Sequence, residues 1–169
     1  MKPKCILFAG PPGSSKTPVA IYLSWNTGLP IFNNDAIRRE VAEDTKRAIC
    51  SEDPEFLKRQ SSRINKLFQS QRSFIFDRSI DRTWGKTKKL INENDYEYFL
   101  ISFDLSDKLI EKNGKAKGYP NDNQNKVWYE EHKNFVKKQF DQIDLTINDG
   151  NFEKRLKISL KAVNNFLKN

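Results

Sequence analysis

The stretch FAGPPGSSKTPVAIYL, Phe8 to Leu23, decides how the rest of the chain is read. It fits a phosphate-binding loop, which asks for glycine, four residues, glycine, lysine, then serine or threonine. Here the order is Gly10, Pro11-Pro12-Gly13-Ser14, then Ser15-Lys16-Thr17, so Ser15 stands where the second glycine belongs. A short apolar run precedes the loop and a helical stretch follows it, as the motif requires. Main-chain N–H groups of such a loop and of the first helical turn cradle phosphate oxygens. Lys16 is placed to reach the outer phosphates, and the Thr17 hydroxyl to ligate magnesium. Pro18 falls in the first helical turn, where its missing N–H costs little. The candidate nucleotide-binding residues are therefore Gly10, Pro11, Gly13, Ser14, Ser15, Lys16 and Thr17. If position 15 needs a positive φ, a Cβ there costs about 1–2 kcal/mol. That strain removes neither the N–H donor nor the lysine and threonine.

Outward from the loop, apolar runs alternate with longer amphipathic stretches. CILFA (5–9), LPIFN (29–33), SFIFD (73–77), YEYFLISFD (96–104) and IDLTIN (143–148) read as strands. Helices are expected from Thr17 to Trp25, from Asp35 to about Ala48, and from a Ser51 cap to about Gln71. Others run from Arg82 to about Asn92, from Ser106 to Asn113, and from Asn125 to about Gln142, the last with Val127, Trp128, Phe135, Val136 and Phe140 as apolar positions. A tail helix from Asn151 carries Leu156, Leu160, Val163 and Leu167 at helical spacing. NGKAKGYPNDN (113–123) reads as a loop. Strands that are continuous apolar runs are buried on both faces. The expected architecture is α/β: a five-stranded, mostly parallel sheet with helices on both faces.

In such folds ligands bind beyond the carboxyl ends of the strands. Asp35 and Arg38 follow the second strand. Beside a phosphate site, Asp35 suits a general base taking a proton from an attacking hydroxyl, and Arg38 suits bidentate grip on an acceptor's phosphate. On an ordinary surface the same pair is a helix cap with its solvated partner. The third strand ends in Asp77, the Walker-B pattern that helps hold magnesium. Arg78 and Arg82 come next as acceptor or phosphate contacts, with Arg82 expected at a helix start. Lys112, Lys115 and Lys117 read either as a solvated lysine run or as part of a lid segment, about 106–123, that would close over the phosphates and exclude water. His132 reads as structural or surface.

The 169 residues suffice for one domain with a core. The hydrophobic share is 37%, with twelve Phe, so the chain needs no disulfide or metal to fold. Two cysteines far apart, Cys5 and Cys50, make no disulfide framework, and Cys5 falls in an apolar run as a buried thiol. A single histidine excludes a histidine-rich metal site. The net charge of +8 either favours polyanions such as nucleotides and RNA or reflects no more than a Lys- and Asn-rich composition. The first apolar run is too short for a signal peptide, and nothing approaches the length of a membrane span. A soluble, cytoplasmic monomer is expected.

With these residues in place, the chain resembles the small P-loop kinases of the polynucleotide kinase and zeta-toxin type, many of which are called ATP-binding proteins or AAA family ATPases. The matching segments are Gly10-Pro11-Pro12-Gly13-Ser14-Ser15-Lys16-Thr17, Asn34-Asp35-Ala36-Ile37-Arg38 and Phe74-Ile75-Phe76-Asp77-Arg78. The resemblance runs in order through DLTIND near the end. It implies a three-layer P-loop NTPase fold with sheet order 2-3-1-4-5, ATP with Mg2+, and γ-phosphoryl transfer to a hydroxyl. It makes Lys16 and Thr17 the phosphate and magnesium residues, Asp35 the base and Arg38 the acceptor-orienting group. The chain departs from the family at Ser15, and in a lid that offers lysines where arginines are usual; lysine is a point charge without the planar fork. The acceptor classes are a nucleic acid 5′ end, a nucleotide or a small metabolite. The alternatives are a non-catalytic nucleotide or nucleic-acid binder, and a slow ATPase.

Overall fold

The computed structural model describes residues 2–116 and 123–168. Five strands, β1 (Lys4–Ala9), β2 (Ile31–Asn33), β3 (Phe74–Ser79), β4 (Glu97–Phe103) and β5 (Leu145–Ile147), form one sheet in the order β2-β3-β1-β4-β5. Every pairing is parallel. The helices are α1 (Lys16–Thr27), α2 (Asn34–Thr45), α3 (Pro54–Gln69), α4 (Trp84–Glu93), α5 (Asp107–Ala116), α6 (Asn123–Lys138) and α7 (Arg155–Lys168).

β1 lies in the middle because its whole length is buried. Side chains alternate across a strand, so β1 feeds two cores. Cys5, Leu7 and Ala9 face Ile64 and Phe68 of α3, Trp84 and Ile91 of α4, and Phe135 of α6. Ile6 and Phe8 face Val19, Ala20 and Leu23 of α1 and Val163 of α7. Burial of each large apolar side chain contributes roughly 1.5–3 kcal/mol, which is why the apolar runs, and not the turns, fix the layers. Cys5 is a buried free thiol, pushed well above the ordinary thiol range by burial. Lys4 is buried too. Its ammonium donates to the Phe166 carbonyl at 2.8 Å, in the last turn of α7, where carbonyls lack helical partners.

Several element boundaries move from their expected places. α3 is capped by Asp53, not Ser51: the Asp53 carboxylate accepts from the Glu55 and Phe56 N–H groups, and Pro54 opens the helix. α2 stops at Thr45, so Ala48 lies outside it. α4 begins at Trp84, which leaves Arg82 in the preceding turn. α5 continues through Gly114 to Ala116, beyond the expected end at Asn113. α6 ends at Lys138, and Phe140 sits in a 3-10 turn at 76% exposure, not on an apolar face. Among the described residues no helix is long and apolar enough to cross a membrane.

Candidate active site

The loop Gly10 to Ser15 joins the carboxyl end of β1 to α1. Gly10 has φ +149° and Gly13 φ +84°. A Cβ on Gly10 would stand 2.7 Å from Ser14 Oγ, and one on Gly13 would stand 3.2 Å from the Ile110 carbonyl oxygen of α5. Ser15 does take the left-handed conformation, φ 75° and ψ 24°, at the N-cap of α1. Its hydroxyl accepts a hydrogen bond from Arg155 Nε at 2.9 Å. The Lys16 ammonium donates to the carbonyls of Gly10 (2.6 Å) and Pro11 (2.8 Å) and to Ser14 Oγ (3.1 Å).

β3 braces the loop from beside it. A register shift between Leu7 and Phe8 brings Ser79 opposite Phe8. Ser79 Oγ then donates to the Gly10 carbonyl at 3.0 Å, and the Gly10 N–H donates to both oxygens of Asp81 at 3.2 Å. His132 is buried, with Nδ1 3.2 Å from Asp81 Oδ2 but off the line of a hydrogen bond. Its position is structural.

Asp77 is the second focus. Thr17 Oγ1 donates to its Oδ1 at 3.1 Å, and Asn33 Nδ2 donates to its Oδ2 at 2.8 Å. Burial pushes the Asp77 carboxyl above the ordinary carboxylate range. The Thr17 hydrogen bond and the Lys16 charge pull it back, Asp35 pushes it further up, and the Asn33 amide pulls down. A hydroxyl beside a desolvated carboxylate is a set of hard oxygen donors that fits Mg2+. No cluster of three or more metal-binding side chains occurs among the described residues. Magnesium does not need one, since it keeps waters and substrate phosphate oxygens.

Loop and strand ends surround a cleft of about 650 Å³. Asp35, Arg38, Arg39, Arg78, Arg82 and Trp128 also line it. Asn33 caps α2 by accepting from the Ala36 N–H at 2.9 Å, which sets Asp35 in the first turn and Arg38 one turn on. Arg38 Nη1 donates to Asp35 Oδ1 at 2.9 Å, and the guanidinium lies over the Phe56 ring. Arg82 packs over Trp128 with its Nε 3.5 Å from Glu131 Oε2. Arg78 lies over Phe76, and burial lowers its pKa, as does the Arg82 charge. No carboxylate among the described residues pairs with Arg78.

The residues expected from the sequence thus divide. Gly10 to Thr17, Asp35, Arg38, Asp77, Arg78 and Arg82 line one cleft. Lys112 and Lys115 do not: they are exposed on α5, away from the cleft wall. Lys117 lies outside the described residues. Asn33 and Ser79 lie in the segments at the ends of β2 and β3, 33–35 and 77–79, where the sequence already places the ligand-facing residues. Sequence reasoning missed Arg39, Asp81, Trp128 and Arg155, of which Asp81 was findable because it sits two residues past the end of β3.

No protein-family model matches the chain, and no curated protein sequence matches it. Solved structures do. The tunicamycin resistance protein of Deinococcus radiodurans superposes with TM-score 0.68 at 14% identity, over 98% of this chain and 96% of that one. Shikimate kinase from Acinetobacter baumannii, solved with shikimate, gives 0.60 at 15% identity over 98% and 95%. APS kinase CysC of Mycobacterium tuberculosis, solved with AMPPNP and APS, gives 0.58 at 14% identity over 96% and 98%. With the parallel β2-β3-β1-β4-β5 sheet and the loop at the end of its central strand, these likenesses show that the chain has the fold of the P-loop kinases.

Proposed function

We infer that the protein transfers the γ-phosphoryl group of ATP to a hydroxyl acceptor, as a P-loop kinase of the polynucleotide kinase and zeta-toxin type. One observation carries this: Thr17 and Asp77 meet at 3.1 Å beside the Lys16 loop, in the same cleft that Asp35 and Arg38 line. A mere anion-binding loop needs no carboxylate at that point. Mg2+ held by Thr17 and Asp77 would neutralise charge on the β- and γ-phosphates.

The chain's own groups divide the remaining work. The loop amides and Lys16 hold the polyphosphate. Asp35 takes the proton of the acceptor hydroxyl as its oxygen bonds to the γ-phosphorus. The bond from that phosphorus to the β,γ-bridging oxygen breaks, and ADP leaves. Arg38 orients Asp35 and the acceptor. Arg78, desolvated and without a carboxylate partner among the described residues, supplies positive charge for an acceptor that is itself anionic, such as a nucleotide or a nucleic acid 5′ end. We assign the segment 106–123 the role of a lid, with α5 already against Gly13.

The test is transfer of labelled γ-phosphate from ATP to a panel of hydroxyl acceptors, with Asp35→Asn beside the wild type. Asp35→Asn is expected to keep ATP affinity and lose about 10²–10⁴-fold in kcat. A non-catalytic binder would show ATP binding, no labelled acceptor, and no effect of Asp35→Asn on its function.

A further inference from the structure

Position 15 carries a side chain where the loop pattern calls for none, and the backbone there is left-handed. Ser15 is nearly buried, so its hydroxyl needs a partner. That partner comes from 140 residues away: Arg155 Nε, at 2.9 Å. Arg155 opens α7, which packs against α1. Its guanidinium is itself held, with Nη1 donating to the Phe152 carbonyl at 2.9 Å and the group stacked 4.1 Å over the Phe152 ring. Phe152 is anchored in the core that contains Ile6 and Phe8 of β1. Among the described residues Arg155 forms no ion pair with a carboxylate, and it is not part of the cleft wall. A fixed donor is thus aimed at the one loop residue whose backbone is strained for its type.

We propose that Arg155 is a positioning residue for the phosphate loop. It holds Ser15 in the left-handed conformation that glycine would adopt without help, and so presents the loop amides to the nucleotide. The pair Ser15–Arg155 replaces the missing glycine: the serine introduces strain, and the arginine's hydrogen bond offsets it. Arg155 acts through Ser15 and not by touching phosphate. The proposal rests on the nucleotide-binding function above.

The test is calorimetric titration of Mg-ATP into the full chain and a set of variants. Wild type binds. Arg155→Ala weakens binding about tenfold, the loss of one hydrogen bond to a charged group. Ser15→Ala, which removes only the acceptor oxygen, weakens it by a similar factor, and the double variant is no worse than either. Ser15→Gly restores binding to Arg155→Ala, bringing it within about twofold of the wild type. Arg155→Lys, which keeps the charge but not the Nε–H, behaves like Arg155→Ala. The inference is overturned if Arg155→Ala binds as well as the wild type. It is equally overturned if Ser15→Gly fails to rescue while Arg155→Lys does, since Arg155 then acts by its charge on the phosphates. Should Arg155→Ala not fold, Ser15→Ala against Ser15→Gly decides the matter alone. Failure of the wild type to bind Mg-ATP would instead remove the nucleotide function itself.

Discussion

Asn33 and Asp77 stand opposite one another in the parallel pairing of β2 with β3, and Asn33 Nδ2 donates to Asp77 Oδ2 at 2.8 Å. The other end of the same amide caps α2 through the Ala36 N–H. One side chain therefore fixes both the buried carboxylate and the helix that carries Asp35 and Arg38. The sheet register, and not a flexible loop, sets the spacing between the two halves of the site.

Asp77 is charged at a cost, because burial has raised its pKa. Asp77→Asn keeps the shape and removes that cost, and the Thr17 hydroxyl can accept from the new amide. The apo variant is expected to melt at or above the wild-type temperature, measured with chelator present. Its Mg2+-dependent gain in ATP affinity is expected to fall by about 10–100-fold. A variant that melts lower and still responds fully to Mg2+ contradicts the assignment of Asp77.

Gly13 is pinned twice, by φ +84° and by the Ile110 carbonyl of α5. Gly13→Ala is expected to cost about 1–2 kcal/mol from the backbone alone, with more from the push on α5. ATP affinity and melting temperature should fall together. If only affinity falls, the contact with α5 is not part of the stable fold.

The cap of α3 supplies a pH dependence. The Arg47 hydrogen bond, with the Phe56 and Glu55 N–H groups, holds the Asp53 carboxyl below the usual carboxylate range. A lowered folded pKa means that the unfolded state binds more protons in acid. The stabilisation is therefore complete above the ordinary carboxylate pKa and is lost as pH falls through the lower folded value. Asp53→Ala is expected to melt several degrees lower at neutral pH, and this difference should shrink in acid. Melting curves from neutral pH down to pH about 3 would check it; a difference that grows in acid would contradict the assignment.

Much of the fold was legible because short, continuously apolar strands end in residues with chemistry to do: Gly10 after Ala9, Asp77 after Phe76. Such runs have one stable arrangement, buried on both faces. Helix ends were less legible. Ser51 and Asp53 are both good caps, and only Pro54, which suits the first helical position, favours Asp53. Gly114 read as a break, yet α5 runs through it against Gly13, a contact between segments far apart in sequence. For the same reason Arg155 could not be found. Nothing local marks an arginine at the start of a C-terminal helix as the partner of a serine in the first loop.

Calorimetric titration of Mg-ATP into the wild type and Lys16→Ala tests the central claim most directly. Wild type should bind with a dependence on Mg2+, and Lys16→Ala should show no binding at millimolar nucleotide. If neither protein binds, or if both bind alike, the loop from Gly10 to Thr17 is not a working nucleotide site and the kinase function falls with it.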